Sequence, residues 1–286
     1  MVAEPIELGP QSLLWRWVGD SRIGLMGGTI GILQLLHPAI GAGVSQHSDF
    51  FRDPFDRIFR SLPRILGVVY DPWAEATGHK VRDFHRDIKG VDDGGRRYHA
   101  LDPDTYWWAH ATFQFMAEQV ADRYDTHRLT VVERERLYRE GVEWYRRYGV
   151  SMRPVPPDRA AFQQAWDHHC ADVLEMNPAA RWTLDQLLGP RPPKLGRAVD
   201  WARPLLRVGF VRRITLEPVR ISTIGGLPPV VRERFGIPWS RRDQMELDAL
   251  ELAVRQAWRF VPFPLRWHPR ALAGWRRAGR HVAVAA

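Results

Sequence analysis

Three histidines in the first half of the chain lie where burial is expected. His37 lies in a run without charged residues, His85 on the apolar face of an otherwise charged helix, and His110 in an aromatic-rich segment. Histidine is the common side chain that binds a transition metal such as iron as a neutral ligand. A buried imidazole needs a hydrogen-bond partner or a metal ion to compensate for its lost hydration. The three positions therefore predict either satisfied core histidines or a buried iron site.

The sequence around His85 predicts a helix over residues 72–88. Its apolar face comprises Val81, Phe84, His85 and Ile88, whereas charged residues occupy the other faces. His85 is therefore expected to point inward among apolar side chains. A core histidine that donates to a backbone carbonyl is the simpler explanation, and the helix alone favours it over metal binding.

His110 lies within the segment from Tyr106 to Phe113, which contains two adjacent tryptophans between these aromatic ends. Such a segment either packs a core or lines a site for a flat, apolar ligand. Core packing is the commoner of the two arrangements. The aromatic residues by themselves therefore leave both interpretations of His110 open.

Arg57 and Ser61 lie one helical turn apart beside an apolar stripe that runs from Phe55 to Val69. Arginine stays charged when it is buried and offers several donors in a planar fork, so near a pocket it can bind a carboxylate. A surface ion pair between Arg57 and Asp53 is an equally reasonable interpretation. The pair marks a candidate anion-binding position.

The elements that position these residues are predicted to be helices. Apolar residues recur at helical spacing along most of the chain, and alternating strand patterns are nearly absent. A capping box, Thr130-x-x-Glu133, starts one of the helices. Residues 216–240 are expected to hold little regular structure because they contain Pro218 and Gly225-Gly226.

The pattern as a whole predicts an all-α fold. With 286 residues and a hydrophobic fraction of 45%, the chain is long enough for one large domain with a sizeable core. We expect a single globular helical domain over residues 11–279, an N-terminal extension over residues 1–10 and a C-terminal tail over residues 280–286. Residues 90–97 are expected to form a loop or a short hairpin.

The net charge of +8 raises the question of a nucleic-acid partner. Nearly all basic residues are arginines, and they alternate with acids in segments such as residues 133–136 and 232–234. No dense basic tract with interleaved aromatic residues occurs, so a solvated basic surface is favoured over nucleic-acid binding. The single cysteine, Cys170, cannot form an intramolecular disulfide, and the N-terminal residues lack the basic segment of a secretory signal. These features favour a cytoplasmic protein.

Two segments raise the question of a membrane. Residues 23–48 carry no formal charge, but His37-Pro38 interrupts this run and glycines are frequent in it. A buried pair of helices with a break at Pro38 is therefore favoured over a membrane span. Residues 267–280 alternate tryptophan and alanine with arginine, as helices at a membrane surface do. A packed surface helix is favoured there, and peripheral membrane contact is the alternative.

Several short motifs occur in an order that resembles the rubber oxygenase (latex clearing protein) and mycophenolic-acid oxygenase MpaB-like family. In chain order the matching segments are Gly19-Asp20-Ser21-Arg22, His37-Pro38, His47-Ser48, Asp53-Pro54-x-x-Arg57, Val81-Arg82-x-x-His85, Tyr98-x-Ala100-x-x-Pro103, Trp108-Ala109-His110-Ala111-Thr112 and the stretch from Leu227-Pro228 to Trp239-Ser240. The resemblance covers most of the chain, over residues 11–275. Each motif is short, and the specificity lies in the ordered set.

The resemblance implies an all-helical, globin-like core of packed helices and, as in the rubber oxygenases, a b-type haem. On this mapping His85 is the proximal ligand of the haem iron, and Arg57 supports a haem propionate or orders the pocket. Ser61 stands where the family usually has threonine, which keeps the hydroxyl group and loses a methyl group.

Three further residues are assigned to the cofactor pocket on the same resemblance. His110 would lie near the haem as a distal or supporting group, and His37 would line the same cavity. Arg82 belongs to the motif that carries His85 and is counted with the cofactor-binding residues. Catalytic roles are expected for His85, Arg57 and His110.

The resemblance predicts a haem-b-dependent oxygenase or peroxidase-type oxidoreductase that acts with O2 or peroxide on an apolar, lipid- or isoprenoid-like small molecule. The glutamate proposed as the base in rubber oxygenases has no counterpart in residues 33–48, which argues against cleavage of polyisoprene. A non-catalytic haem- or lipid-binding protein, with two histidines on the iron, is the alternative. The sequence also leaves open a homodimer.

Overall fold

The computed structural model describes most of the chain, namely residues 6–189, 193–194, 204–205 and 209–279, with the side chains of residues 55–59, 209 and 212–214 outside the description. Helices account for nearly all regular structure in this part, which confirms the predicted all-α, single-domain fold. The predicted tail over residues 280–286 lies outside the described residues. Residues 6–10 of the predicted extension are described, and Leu8 packs into the core.

The first half of the described chain forms short helices and a two-stranded sheet. Their bounds are α1 Leu13–Trp17, α2 Gly27–Leu35, α3 Pro38–His47, α4 Pro54–Tyr70, α5 Ala74–Asp83, β1 Lys89–Val91 and β2 Arg97–His99. The two strands pair antiparallel, with Gly90 opposite Tyr98. Of the loop or short hairpin expected for residues 90–97, the structure has the hairpin.

The second half is a run of helices arranged around the longest of them. Their bounds are α6 Pro103–Tyr124, α7 Val131–Arg146, α8 Arg159–His168, α9 Pro178–Leu188, α10 Gly209–Gly226, α11 Pro229–Arg234, α12 Arg241–Trp258 and α13 Pro269–Arg277. The long helix α6 packs against α1, α2, α7 and α12. Asp102 caps the N-terminus of α6, because its carboxylate accepts hydrogen bonds from the backbone N–H groups of Asp104 and Thr105. The N-terminal half of α6 carries His110 and also Tyr106, whose ring contacts His85.

The charge-free segment over residues 23–48 forms the predicted pair of packed helices. α2 and α3 meet at a 98° bend, because Pro38 begins α3 and cannot continue the hydrogen-bond ladder of α2. α2 packs against α6 and α10, α3 packs against α9, and Ile32 and Leu33 are fully buried. No single helix of the described residues is long and apolar enough to cross a membrane. Only α2 and α3 together, as a bent pair, reach the required length and composition.

The expectation of little regular structure over residues 216–240 is wrong. α10 continues through Pro218 to Gly226, and α11 follows it. A proline inside a helix costs roughly 3 kcal/mol, and the packing of α10 against α2 and α12, which buries Ile224 completely, offsets this cost. Gly226 permits close packing of α10 against α2, because a Cβ at this position would lie 2.2 Å from Oγ1 of Thr29 on α2.

The tryptophans of the segment over residues 267–280 face the core. Trp267 and Trp275 are 8% and 5% exposed, and their ring centroids lie 5.2 Å apart. Trp275 also meets the edge of Trp15 at 5.2 Å. The alternation in the sequence therefore reflects a packed surface helix, and these indole rings are not available at a membrane surface.

Candidate functional site

His85 lies in the turn that follows α5. The helix ends at Asp83, before the predicted end at residue 88, so the helical face drawn from the sequence is interrupted. Val81 is buried as expected, whereas Phe84 is 58% exposed. His85 itself is half-buried. The predicted inward face is therefore correct for Val81 and wrong for Phe84.

The end of α5 orients the ring of His85. Nδ1 lies 2.8 Å from the carbonyl oxygen of Val81. Because a carbonyl can only accept, Nδ1 carries the proton and Nε2 carries the lone pair. Metal-binding histidines are held in the same way, since donation from one ring nitrogen fixes the tautomer and directs the other nitrogen. The same bond also satisfies a carbonyl in the last turn of the helix.

The turn at His85 lies beside the middle of α4. The guanidinium group of Arg64 lies over the ring of Phe84, 4.8 Å from its centroid, and α4 packs along α5. Ser61 is half-buried and precedes Arg64 by about 4.5 Å along the helix axis. Arg57 is one turn further toward the N-terminus of α4, and its side chain lies outside the described part of the structure. Arg57 and Ser61 thus lie on the helix that packs along α5, and His85 lies in the turn that follows α5.

One aromatic ring contacts His85, and apolar side chains lie on the neighbouring helix α4. Leu62 and Ile65 of α4 are partly buried against the core. The ring of Tyr106 meets His85 edge-on, with centroids 5.6 Å apart. Burial raises the pKa of Tyr106, so its hydroxyl group stays protonated at physiological pH. Half-buried apolar groups and a neutral phenol are typical of sites for flat, apolar ligands.

Arg82 fastens the end of α5 to the loop after α7. Its Nε donates to a carboxylate oxygen of Asp83 at 2.9 Å, and its Nη1 donates to the carbonyl oxygen of Gly149 at 3.2 Å. Both contacts hold the turn that carries His85. Contact between Arg82 and a cofactor stays a prediction.

His110 lies in an aromatic cage between α6 and α7. Its ring centroid is 4.8–6.0 Å from those of Trp107, Trp144, Tyr145 and Tyr148. Nε2 donates to the carbonyl oxygen of Gly141 at 2.9 Å, and the buried Nδ1 has no hydrogen-bond partner among the described residues. Burial lowers the pKa of His110 to about 3, so the imidazole is neutral at physiological pH.

Two tyrosines connect His110 to His85. The centroid of Tyr106 lies 5.6 Å from that of His85 and 5.6 Å from that of Tyr148. Tyr148 in turn lies 6.0 Å from His110. The two histidines belong to one continuous aromatic assembly, with His110 at its fully buried end.

His110 should make the protein less stable at acidic pH. Its pKa is about 3 in the folded protein and 6.5 when exposed, so between these values the unfolded chain binds the proton more readily. The contribution of neutral His110 to the free energy of unfolding is complete above pH 6.5 and is lost as the pH falls toward 3. This group alone should lower the free energy of unfolding by up to about 1.4 kcal/mol per pH unit within that window.

Replacement of His110 by glutamine isolates this effect. Glutamine retains a donor for the Gly141 carbonyl and does not titrate, so the variant should lose less stability between about pH 7 and about pH 5. Urea unfolding followed by circular dichroism measures the difference. The lowered pKa of His37 also reduces stability at acidic pH. Because it does so equally in both proteins, its effect cancels in the comparison. An equal pH dependence of the two proteins would contradict the lowered pKa of His110.

His37 lies at the break between α2 and α3. It is buried, and its Nδ1 finds no hydrogen-bond partner within the described chain. Burial lowers the pKa of His37 to about 4, and the nearby His169 acts in the same direction. His169 stacks on Trp108 of α6, with ring centroids 4.8 Å apart. His37 and His169 thus lie on the Trp108 side of α6.

The adjacent His168 and His169 differ in burial. A π-helical turn over His169–Val173 follows α8 and carries His169 to Trp108, where Nδ1 donates to the carbonyl of Ala165. His168 is 63% exposed and pairs with an acid. The signal that could have separated them is spacing, because His169 follows the buried Trp166 by one turn.

The comparison with known families decides the class of the protein. A family model described as ER-bound oxygenase mpaB/B'/Rubber oxygenase, catalytic domain, matches residues 15–263. The chain belongs to this oxygenase family. The membership confirms the resemblance drawn from the short motifs and supports oxygenase activity in general. No curated protein and no solved structure matches the chain.

The donor chemistry of His85 in this oxygenase-family chain is compatible with a haem iron. The described residues contain no group of three or more His, Cys, Asp or Glu side chains that could hold a metal ion. A haem needs only one or two protein ligands, because the porphyrin nitrogens supply the others. His85, with its Nδ1 proton held by a carbonyl, suits that single position.

A cavity of about 720 Å³ lies at the other end of α5. Its lining includes the acids Glu7, Asp71, Glu75 and Glu143 together with Arg147. Asp71 and Glu143 both pair with arginines, so the cavity carries charges of both signs. Neither His85 nor Ser61 is among its lining residues.

Proposed function

We propose that the chain is a haem-b-dependent oxygenase or peroxidase-type oxidoreductase that acts on an apolar, lipid- or isoprenoid-like small molecule. Family membership over residues 15–263 supports the reaction class. The observation that carries the haem assignment is the ring of His85. Its Nδ1 donates to the Val81 carbonyl, so its Nε2 keeps the lone pair that binds iron.

Three residues of the chain would hold the cofactor. His85 would bind the iron through Nε2 from the end of α5. Arg57 would neutralise a haem propionate, since a guanidinium group binds a carboxylate through two parallel hydrogen bonds. Ser61 would provide the hydroxyl group that threonine provides elsewhere in the family. When bound, haem would supply the redox chemistry with O2 or peroxide.

The apolar side chains near His85 would receive the substrate. Leu62 and Ile65 are partly buried, and Tyr106 presents a ring whose hydroxyl group is neutral. These groups offer an unsaturated or lipid-like molecule an apolar surface and exclude water from the reacting atoms. Charged substrates would find no compensating group among these three side chains.

A non-catalytic haem-binding protein is the second candidate, and the remaining buried histidines favour it. His37 and His110 each have a buried Nδ1 without a partner among the described residues, and both imidazoles are neutral. A second histidine on the iron would close the position at which O2 or peroxide binds.

Titration of the purified protein with hemin tests both candidates. We expect a Soret band that saturates at about one haem per chain and changes when peroxide is added. A six-coordinate, low-spin spectrum that peroxide leaves unchanged would favour the non-catalytic candidate. The lack of a Soret band after addition of hemin would contradict the haem assignment and leave the family membership untouched.

A further inference from the structure

The C-terminal part of the chain has a one-sided charge. The 35 residues that follow Glu251 contain seven arginines and no aspartate or glutamate. Elsewhere in the chain the arginines alternate with acids, as in residues 133–136. The end of α12, the loop that follows it and α13 all lie in this segment. The segment therefore concentrates positive charge far more than the average composition indicates.

The loop between α12 and α13 projects apolar side chains into solvent. Phe260 is 79% exposed and Leu265 is 66% exposed. Pro262 and Pro264 between them are exposed as well. We call residues 260–265 the apolar loop.

The exposure of the apolar loop is built into a fixed backbone. Arg266 donates from Nε to the carbonyl oxygen of Val261 at 2.7 Å and from Nη2 to that of Arg259 at 2.9 Å. Phe263 packs on the buried Trp267, with ring centroids 6.0 Å apart. The hydrogen bonds of Arg266 and the packing of Phe263 on Trp267 thus fix a loop backbone that leaves the side chains of Phe260 and Leu265 exposed to solvent.

Positive charge flanks the apolar loop on α12. Arg255 and Arg259 are one turn apart, so they share a face of the helix that leads into the loop. Arg259 is exposed and lies over the ring of Phe260, 5.4 Å from its centroid. Basic side chains therefore stand directly behind an apolar tip.

The acids packed nearest to this region have partners of their own. The 3₁₀ turn over residues 21–25 packs against the loop, and Asp20 before it pairs with the buried Arg22. Asp125 pairs with Arg22 as well, and Glu251 pairs with Arg123. Glu251 also attracts Arg255, which lies one turn further along α12. Among the described residues no carboxylate forms an ion pair with Arg259, so its positive charge stays available beside the loop.

We propose that the apolar loop docks onto an anionic phospholipid bilayer. Phe260 and Leu265 would enter the boundary between headgroups and acyl chains, and Arg255 and Arg259 would contact lipid phosphates. The positive charge beside the exposed tips complements the negative phosphates of such a bilayer. The same tips beside cations match the requirements of a membrane surface. Docking of this kind is independent of whether the chain holds haem.

Co-sedimentation of the full chain with vesicles tests the proposal. The protein should bind vesicles of phosphatidylcholine and phosphatidylserine much more tightly than vesicles of phosphatidylcholine alone, and salt should weaken the binding. The double variant Phe260→Ser/Leu265→Ser should bind the anionic vesicles more than about tenfold more weakly. The variant Arg255→Gln/Arg259→Gln should lose roughly fivefold per arginine and most of the salt dependence.

A matched control distinguishes the loop from exposed apolar surface in general. Val131 and Val132 are 84% and 78% exposed at the start of α7, next to the acid Glu133. The variant Val131→Ser/Val132→Ser should bind anionic vesicles as the unchanged protein does. Circular dichroism should show equal helix content in all variants, because none of the substituted side chains belongs to the buried core. Failure of the unchanged protein to bind anionic vesicles, or equal binding by Phe260→Ser/Leu265→Ser, would overturn the proposal.

Discussion

Replacement of His85 by alanine should remove nearly all bound haem. We expect at least a tenfold loss of Soret absorbance per chain, because a tenfold change in occupancy corresponds to about 1.4 kcal/mol and an iron–imidazole bond contributes more than that. The fold should survive, since His85 is half-buried in a turn outside the regular helices. Absorption spectra after saturation with hemin measure the change.

Two controls make this result specific to ligation. His47→Ala removes another imidazole that contacts a backbone carbonyl, that of Lys89, but from an exposed position, and should retain the Soret band. Addition of free imidazole to His85→Gly should restore the band, which a merely structural role of the side chain would not produce. Unchanged haem content and an unchanged spectrum in His85→Ala would contradict the assignment of His85 as the iron ligand. His110 would then be the next histidine to replace.

Replacement of Arg22 by methionine should destabilise the fold severely. Arg22 and Asp20 are 4% and 3% exposed, and two guanidinium nitrogens of Arg22 bond the Asp20 carboxylate at 2.9 and 2.7 Å. The same guanidinium group also donates to the carbonyl of Tyr124 and to Asp125. Burial already raises the pKa of Asp20, so a carboxylate left without its partner becomes costlier still. We expect a loss of about 3–5 kcal/mol in the free energy of unfolding.

Urea unfolding followed by circular dichroism measures this loss. Arg139→Met is the matched control, because Arg139 is 65% exposed and pairs with Glu135 one turn away. Such a surface pair contributes at most about 1 kcal/mol. The double variant Asp20→Asn/Arg22→Met should recover part of the loss, since it removes the stranded charge. Equal stability of Arg22→Met and Arg139→Met would show that the buried network does not support the fold.

This result would also explain the first of the short motifs. Gly19-Asp20-Ser21-Arg22 is part of the family resemblance, yet its contacts in the described structure are with α6 and α13. Asp20 accepts a bond from the backbone N–H of Arg22, and a Cβ on Gly19 would lie 2.4 Å from Cβ of Ala271 on α13. The motif is therefore understood here as a structural requirement of the fold.

Features that depend on neighbours along the chain could be predicted from the sequence. The capping box of Thr130 and Glu133 starts α7 as expected, because its hydrogen bonds lie within three residues. Pro38 separates α2 from α3 as expected, because it lacks the N–H group that would continue the hydrogen-bond ladder of α2. The ordered short motifs likewise indicated the family, which the match over residues 15–263 confirms.

Features that depend on distant segments were decided by the tertiary structure. Gly226 appeared to be a helix breaker, but it permits the close approach of α10 to Thr29, which lies far away in the sequence. His169 is turned onto Trp108 while the adjacent His168 stays exposed. The indoles of Trp267 and Trp275 pack inward, whereas the side chains of Phe260 and Leu265 in the preceding loop are exposed. Local periodicity determines which residues share a helix face, whereas the burial of that face depends on the elements that pack against it.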